Sequence, residues 1–232
     1  LVLDEDPADK TIWWAIKFVL SIPTNLALIV GSALGYAFFA SVRTFGIQYA
    51  QGDFHLKHTS AVGLLGLLGI GALIGVWVGG RLGDGLLKKG HLNARVYVAT
   101  TFFWISVFLF FGGFYFQMLW LSMSLFTLSA FALGGVNPPL DSARLDIMHP
   151  TLWGRAEAVR TVFRNLAEAV TPVAFGMLVS SLGNGSTGLR DGFMIMLIPL
   201  AIAGGISFIT FRTYAPDAAA AKAYREKTLD EK

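Results

Sequence analysis

The sequence predicts an all-α, polytopic membrane protein built from six transmembrane helices. Three observations predict it. The 232 residues are 54% hydrophobic and only 14% charged, too apolar for a water-soluble domain of this size. Six apolar runs each approach the roughly 20 residues that an α-helix needs to cross a bilayer. Basic residues gather on one side of those runs: fifteen of the eighteen lie in alternate loops and the two ends, leaving Lys57 and Arg190 opposite and Arg43 within a run. Loops rich in Lys and Arg stay on the cytoplasmic side, so both termini are expected there.

Residues 1–10 are polar and acidic and read as the end of a linker. Residues 11–22 (TIWWAIKFVLSI) are apolar but too short to cross. Trp13, Trp14 and Lys17 suit a membrane interface, and Pro23 breaks the run, which is either a separate interfacial helix or the start of the first span. The first span is expected over 25–49, followed by a polar loop at 51–58. The second, 59–78, carries Gly71, Gly75 and Gly79 at a spacing of four, with Gly63, Gly66 and Gly69 as another small-residue track. Missing side chains let membrane helices approach closely, and the same glycines would permit rocking. A tight turn is expected at 79–90, GGRLGDGLLKKG.

The third span, 96–116, has no Asp, Glu, Lys, Arg or His and is crowded with aromatics; only Gln117 separates it from the fourth, 118–136, so the two form a hairpin. Asn137-Pro138-Pro139-Leu140-Asp141 is expected to end the fourth span, because two prolines remove two backbone donors. With Gly134 and Gly135 before it, this break reads as a hinge or as a plain terminus. A polar stretch, 141–160, leads to the fifth span, 163–182, and the sixth follows at 193–211. The domain division is then 1–23 linker end and interfacial segment, 24–214 bundle, and 215–232 a polar tail.

Gly80-Arg81-Leu82-Gly83-Asp84 followed by Lys88-Lys89-Gly90 resembles the signature turn of the major facilitator superfamily, with Gly85 where that family commonly has a basic residue. The departure suits the weaker copy of the motif in the C-terminal half of those transporters. The resemblance implies helices 7 to 12 of a twelve-helix carrier, arranged as two inverted three-helix repeats. It also implies an N-terminal six-helix half as partner, a small organic or amphipathic solute moved by alternating access, and a cell-membrane location. The third and sixth helices would face lipid, and the other four a central cavity. The stretch from Asn137 through Gly154-Arg155-Ala156-Glu157-Ala158 is similar to the spinster group, without carrying a substrate over. The chain begins Leu-Val-Leu-Asp and reads as a piece of something longer or as a processed product.

Ionisable groups inside a membrane are costly and usually face a cavity or a partner. Arg43 reads as a substrate or counter-ion contact, or as a side chain snorkelling to the outer interface. Glu157, Arg160, Arg164, Glu168 and Thr171 recur every three or four residues and form one helical stripe. The Arg160–Arg164 neighbours repel, so one of them should reach another element, with Asp84, Asp141 and Asp146 as candidates. Together with Gly80, Arg81, Lys88, Lys89 and Arg144 these residues are expected to form a cytoplasmic charge latch that breaks during transport, or a solvated helix end. Glu168, deepest in the stripe, either couples ion movement or pairs structurally with Arg164. Tyr36, Phe38, Phe39 and Phe45 line a cavity or simply pack, and Asn137 is a further candidate solute contact.

No cysteine is present, so disulfides and thiolate metal sites are excluded. His55, His58, His91 and His149 all fall outside the apolar runs, which leaves a haem no axial ligand within the bundle. No phosphate-binding loop of the G-x-x-x-x-G-K-[ST] type and no nucleophile–His pair occurs, which disfavours ATP-driven transport and intramembrane proteolysis. The basic residues are spread rather than patched, so nucleic acid is not an expected partner. No cofactor is expected. Asn184-Gly185-Ser186 matches a glycosylation sequon. The alternative expectation is a transporter-like bundle that does not transport and serves as a membrane subunit or assembly factor for a protein or pigment.

Overall fold

A computed structural model describes residues 11–183 and 185–230, with side chains to residue 223. The expectations for residues 1–10 and for Asn184 of the sequon lie outside the described residues. The described chain is helical nearly throughout: α1 (Ile12–Ser21), α2 (Pro23–Asp53), α3 (His58–Lys88), α4 (Ala94–Phe116), α5 (Leu119–Asp146), a 3-10 turn (Pro150–Leu152), α6 (Trp153–Ser181) and α7 (Gly185–Asp230). Six of these, α2 to α7, are long and apolar enough to cross a membrane.

The short helix α1 is separate. Ile22 takes extended angles (φ −80°, ψ 112°), as the residue before a proline must, and Pro23 starts α2 where its missing N–H costs nothing. The Asn25 side chain, fully buried, donates to Val19 O at 2.8 Å and satisfies a carbonyl that the end of α1 leaves free.

Three expected boundaries are corrected. The turn after the second span is not at 79–90: α3 runs on to Lys88, and the chain reverses at 89–93, where Gly90 has φ +90°. The fourth helix does not end at Asn137: α5 continues through Pro138 and Pro139 to Asp146. The sixth helix does not end at 211: α7 is continuous to Asp230, and Tyr214 is 2% exposed.

One interface explains the first two corrections. The parallel helices α3 and α5 meet along Gly71, Gly75 and Gly79, which face the backbone carbonyls of Thr127, Phe131 and Gly135 at a constant offset. A Cβ at Gly71 would come to 2.8 Å from Thr127 O, and at Gly75 and Gly79 closer still to Phe131 O and Gly135 O. In return, Gly134 lies against the carbonyl of Ala72. Such a spacing lets glycine Cα–H groups point at the facing carbonyls, each contact worth perhaps ~0.5–1 kcal/mol. Pro138 and Pro139 cannot donate to the carbonyls of Gly134 and Gly135, four residues back, and the Gly135 oxygen instead faces Gly79. The contact continues past the apolar run, with Gly80 and Gly83 against the rings of Pro138 and Pro139. The two helices therefore extend beyond their apolar runs as a pair, and the motif residues are helical because α5 is beside them.

The remaining contacts repeat the pattern. The pairs α3–α5 and α4–α5 in one half of the bundle correspond to α6–α2 and α7–α2 in the other, and α4 meets α7 between them. Exchanging α2, α3, α4 for α5, α6, α7 maps this contact set onto itself. Because three helices separate the repeats, the second begins on the opposite side, which makes the repeats inverted. Gln117, with φ +51°, closes the tight α4–α5 hairpin. The core is aromatic: Tyr49, Phe114, Phe126, Phe175 and Phe193 cluster in edge-on, tilted and stacked contacts at the end opposite the main group of charged residues. Helix α4 buries one side and exposes Tyr97, Ile105, Phe108, Phe111 and Tyr115 on the other, a stripe suited to lipid.

Candidate functional site

A cavity of about 660 Å³ opens between α2, α3, α4 and α5. One face of α2 supplies Ser32, Tyr36, Phe39 and Arg43, which recur at four, three and four residues. Gly66, Gly69 and Leu73 come from α3, and Leu133 and Asn137 from α5. The lining is largely apolar. Of the expected candidates, Tyr36, Arg43 and Asn137 line it; Phe39 does too, whereas Phe38 is fully buried against Phe110 and Phe45 packs on Phe175. Ser32 lines the cavity with its hydroxyl buried and without a hydrogen-bond partner.

Helix α2 extends ten residues past Arg43, about 15 Å. The Arg43 Nη2 reaches Glu168 Oε2 on α6 at 3.2 Å. The other carboxylate oxygen, Oε1, lies 3.8 Å from Nε of Arg164, one turn earlier on α6. The Arg164 guanidinium sits 4.9 Å from the centre of the Tyr36 ring. Two rungs thus join α2 to α6: Tyr36 with Arg164, and Arg43 with Glu168. Arg164 therefore sits apart from the other residues of the expected latch, behind Tyr36 of the cavity lining.

The latch residues that remain form two clusters at the charged end. In the first, Arg95 at the start of α4 joins Asp84 of α3 at 3.4 Å, Asp146 of α5, and the Ser142 carbonyl at 3.2 Å. The Tyr214 hydroxyl of α7 donates to the same Asp146 at 2.6 Å. Four helices meet here, and the partner of the motif Asp84 is Arg95 rather than Arg160 or Arg164. The second cluster ties α5 to α6. Arg160 pairs with Asp141 at 2.8 Å and with Glu157 at 3.3 Å, while Arg144 pairs with Glu157 and lies 3.9 Å from Asp141. Both arginines are about 95% buried, and each carboxylate is shared between them. Arg160 thereby escapes its repulsion from Arg164, as the stripe required.

Other motif residues stay outside both clusters. The Arg81 guanidinium lies 3.9 Å over the Trp77 ring, and Lys88 and Lys89 are exposed. Gly80 packs on Pro138. Among the described residues no group of His, Asp and Glu is placed to hold a metal ion. The Arg95–Asp146–Tyr214 node was not legible as a unit, because its members lie on three helices and no periodicity connects them.

No protein-family model matches the sequence, and no curated protein is significantly similar to it. Solved structures do match. A bacterial homologue of the human lysosomal transporter Spinster, inward-facing and unoccupied, superposes with a TM-score of 0.77 at 16% identity, over 93% of this chain and 53% of that one. Its inward-facing, occupied form gives 0.72 at 14% identity, over 85% and 50%. A bacterial homologue of the iron transporter ferroportin, outward-facing, gives 0.62 at 15% identity, over 83% and 46%. The chain thus spans about half the length of the structures it matches, and its fold is that of one six-helix half of a major facilitator transporter.

Proposed function

We infer that this chain is the C-terminal half of a secondary transporter that moves a small organic or amphipathic solute by alternating access. Its partner is an N-terminal six-helix half that closes the cavity from the open side. The observation that carries this reading is the pairing of a roofless cavity with two uncovered apolar faces beside it. Leu73, Ile74 and Trp77 project from α3, and Val170, Val173 and Met177 from α6. Gly63, Gly66 and Gly69 on α3 have open space where a side chain would be. Lipid does not call for glycines, whereas a close-packed partner helix does.

The charged end is cytoplasmic in this reading, by the distribution of Lys and Arg. There the Arg95 and Arg160 clusters act as latches. Partly buried ion pairs suit such a role, since desolvation offsets much of their attraction and small changes tip the balance. Asp84→Asn in the full-length protein, reconstituted in liposomes and screened against a solute panel, should lower flux several-fold while insertion and monomer yield stay normal. Wild-type flux in that variant would remove the latch from the mechanism.

A further inference from the structure

Between the charged end and the opposite end, α2, α3, α5 and α6 hold three Asp, Glu, Lys or Arg side chains: Arg43, which lines the cavity, and Glu168 and Arg164, which back it from α6. The two guanidinium groups and one carboxylate sum to an excess positive charge in an otherwise apolar site. Glu168 bridges them, Oε2 toward Arg43 and Oε1 toward Arg164. The arrangement is unequal. Arg164 and Glu168 sit one turn apart on α6, and Tyr36 covers the Arg164 guanidinium, so this pair is held within its own helix and by an aromatic face. Arg43 alone lies on the cavity wall, with its side chain 62% exposed.

We propose that Arg43 reads an anionic group on the transported solute and that Glu168 is its built-in competitor, passing to Arg164 when the solute arrives. This deepens the transporter reading and rests on it. An anion at Arg43 takes over the Glu168 contact, and Glu168 stays paired with Arg164, so no charge is stranded in a low-dielectric site. That retained partner keeps the exchange inexpensive, because breaking a buried pair is costly mainly through the ion left alone. The rest of the wall sets the remainder of the solute. From Arg43 to Ser32 the lining face of α2 runs eleven residues, about 16 Å. It passes Phe39 and Tyr36 on the way. The fitting ligand is a monoanion with an apolar body near that length.

The test uses the full-length protein in nanodiscs of zwitterionic lipid and two probes, a dansyl-labelled undecanoic acid and its primary amide, read by equilibrium fluorescence. The acid should bind at least tenfold tighter than the amide. Arg43→Gln should abolish that preference, with an unfolding midpoint equal to that of the unsubstituted protein certifying the fold. Glu168→Gln should tighten acid binding several-fold and leave the amide unaffected. Equal affinity of acid and amide in the unsubstituted protein would overturn the proposal, as it would if the other half supplied a carboxylate to Arg43. So would a preference that survives Arg43→Gln, or an acid affinity that falls in Glu168→Gln. Doping the discs with phosphatidylglycerol separates the ligand's source: competition assigns it to the bilayer, and unchanged affinity to the aqueous phase. Because binding is read without flux, acid selectivity in a protein that moves no solute would sink the transporter reading alone.

Discussion

A single methyl group placed between α3 and α5 should separate two kinds of glycine on one helix. At Gly75 an added Cβ would fall against the backbone of Phe131, at its carbonyl oxygen, carbonyl carbon and Cα. A backbone cannot rotate aside as a flexible side chain can, so the helices must part. Overpacking of this kind costs typically about 1–3 kcal/mol, and the rigid neighbour places Gly75→Ala at the upper end. Loss of the adjacent Cα–H contacts adds about 0.5–1 kcal/mol. The gain in helix propensity from Gly to Ala returns only about 0.5–1 kcal/mol. The net expectation is a destabilisation of about 3 kcal/mol, and Gly79→Ala should behave alike. Gly85, on the same helix and outside the track assigned to the partner half, has nothing within 4 Å of the new atom. There Ala should leave stability unchanged or raise it by up to about 1 kcal/mol. Denaturation of the full-length protein in mixed micelles, followed by tryptophan fluorescence, measures all three. If Gly75→Ala and Gly85→Ala proved equally stable, the account of why α3 and α5 run on together would be refuted.

Other perturbations follow from the same contacts. Arg160→Ala removes a buried cation from two carboxylates that are themselves roughly half-exposed, so its cost should fall near 2–3 kcal/mol, between exposed pairs and the ~3–5 of fully buried ones; adding Asp141→Asn should recover part of the loss in a thermal-unfolding cycle. Asn25→Ala strips the cap from the Val19 carbonyl and should raise hydrogen exchange across residues 12–21 by an amount matching about 1–3 kcal/mol, with the rest of the bundle unchanged. Protection equal to the unsubstituted protein would show that α1 is held by other contacts.

Hydropathy disclosed the six spans because it measures what a bilayer must accept. It could not disclose where the helices stop. The segment 79–88 and the stretch from Pro138 to Asp146 both read as breaks, because glycine, proline and charge are local signals for ending a helix. Here they serve packing between helices: glycines admit the facing backbone, and proline rings fill the space beside Gly80 and Gly83. The stripe on α6 was visible as a period, and its need for an outside partner was met by Asp141. Which arginine went where was not visible. Arg164 turned to Tyr36 and Glu168, and Asp84 to Arg95, through pairings between distant segments that no spacing encodes. Tyr214 lay past the expected end of the sixth span, yet its hydroxyl reaches an aspartate 68 residues away in sequence.

The central claim is a cavity that opens to one side of the membrane and then to the other. Single cysteines at Phe39 and at Lys89, in a cysteine-free background of the full-length protein in sealed vesicles, test it with a membrane-impermeant thiol reagent applied to either side. Phe39→Cys should label from both sides, each blocked by locking the opposite conformation, and Lys89→Cys from the cytoplasmic side alone. Labelling of Phe39→Cys from one side only, or of Lys89→Cys from outside, would contradict the account.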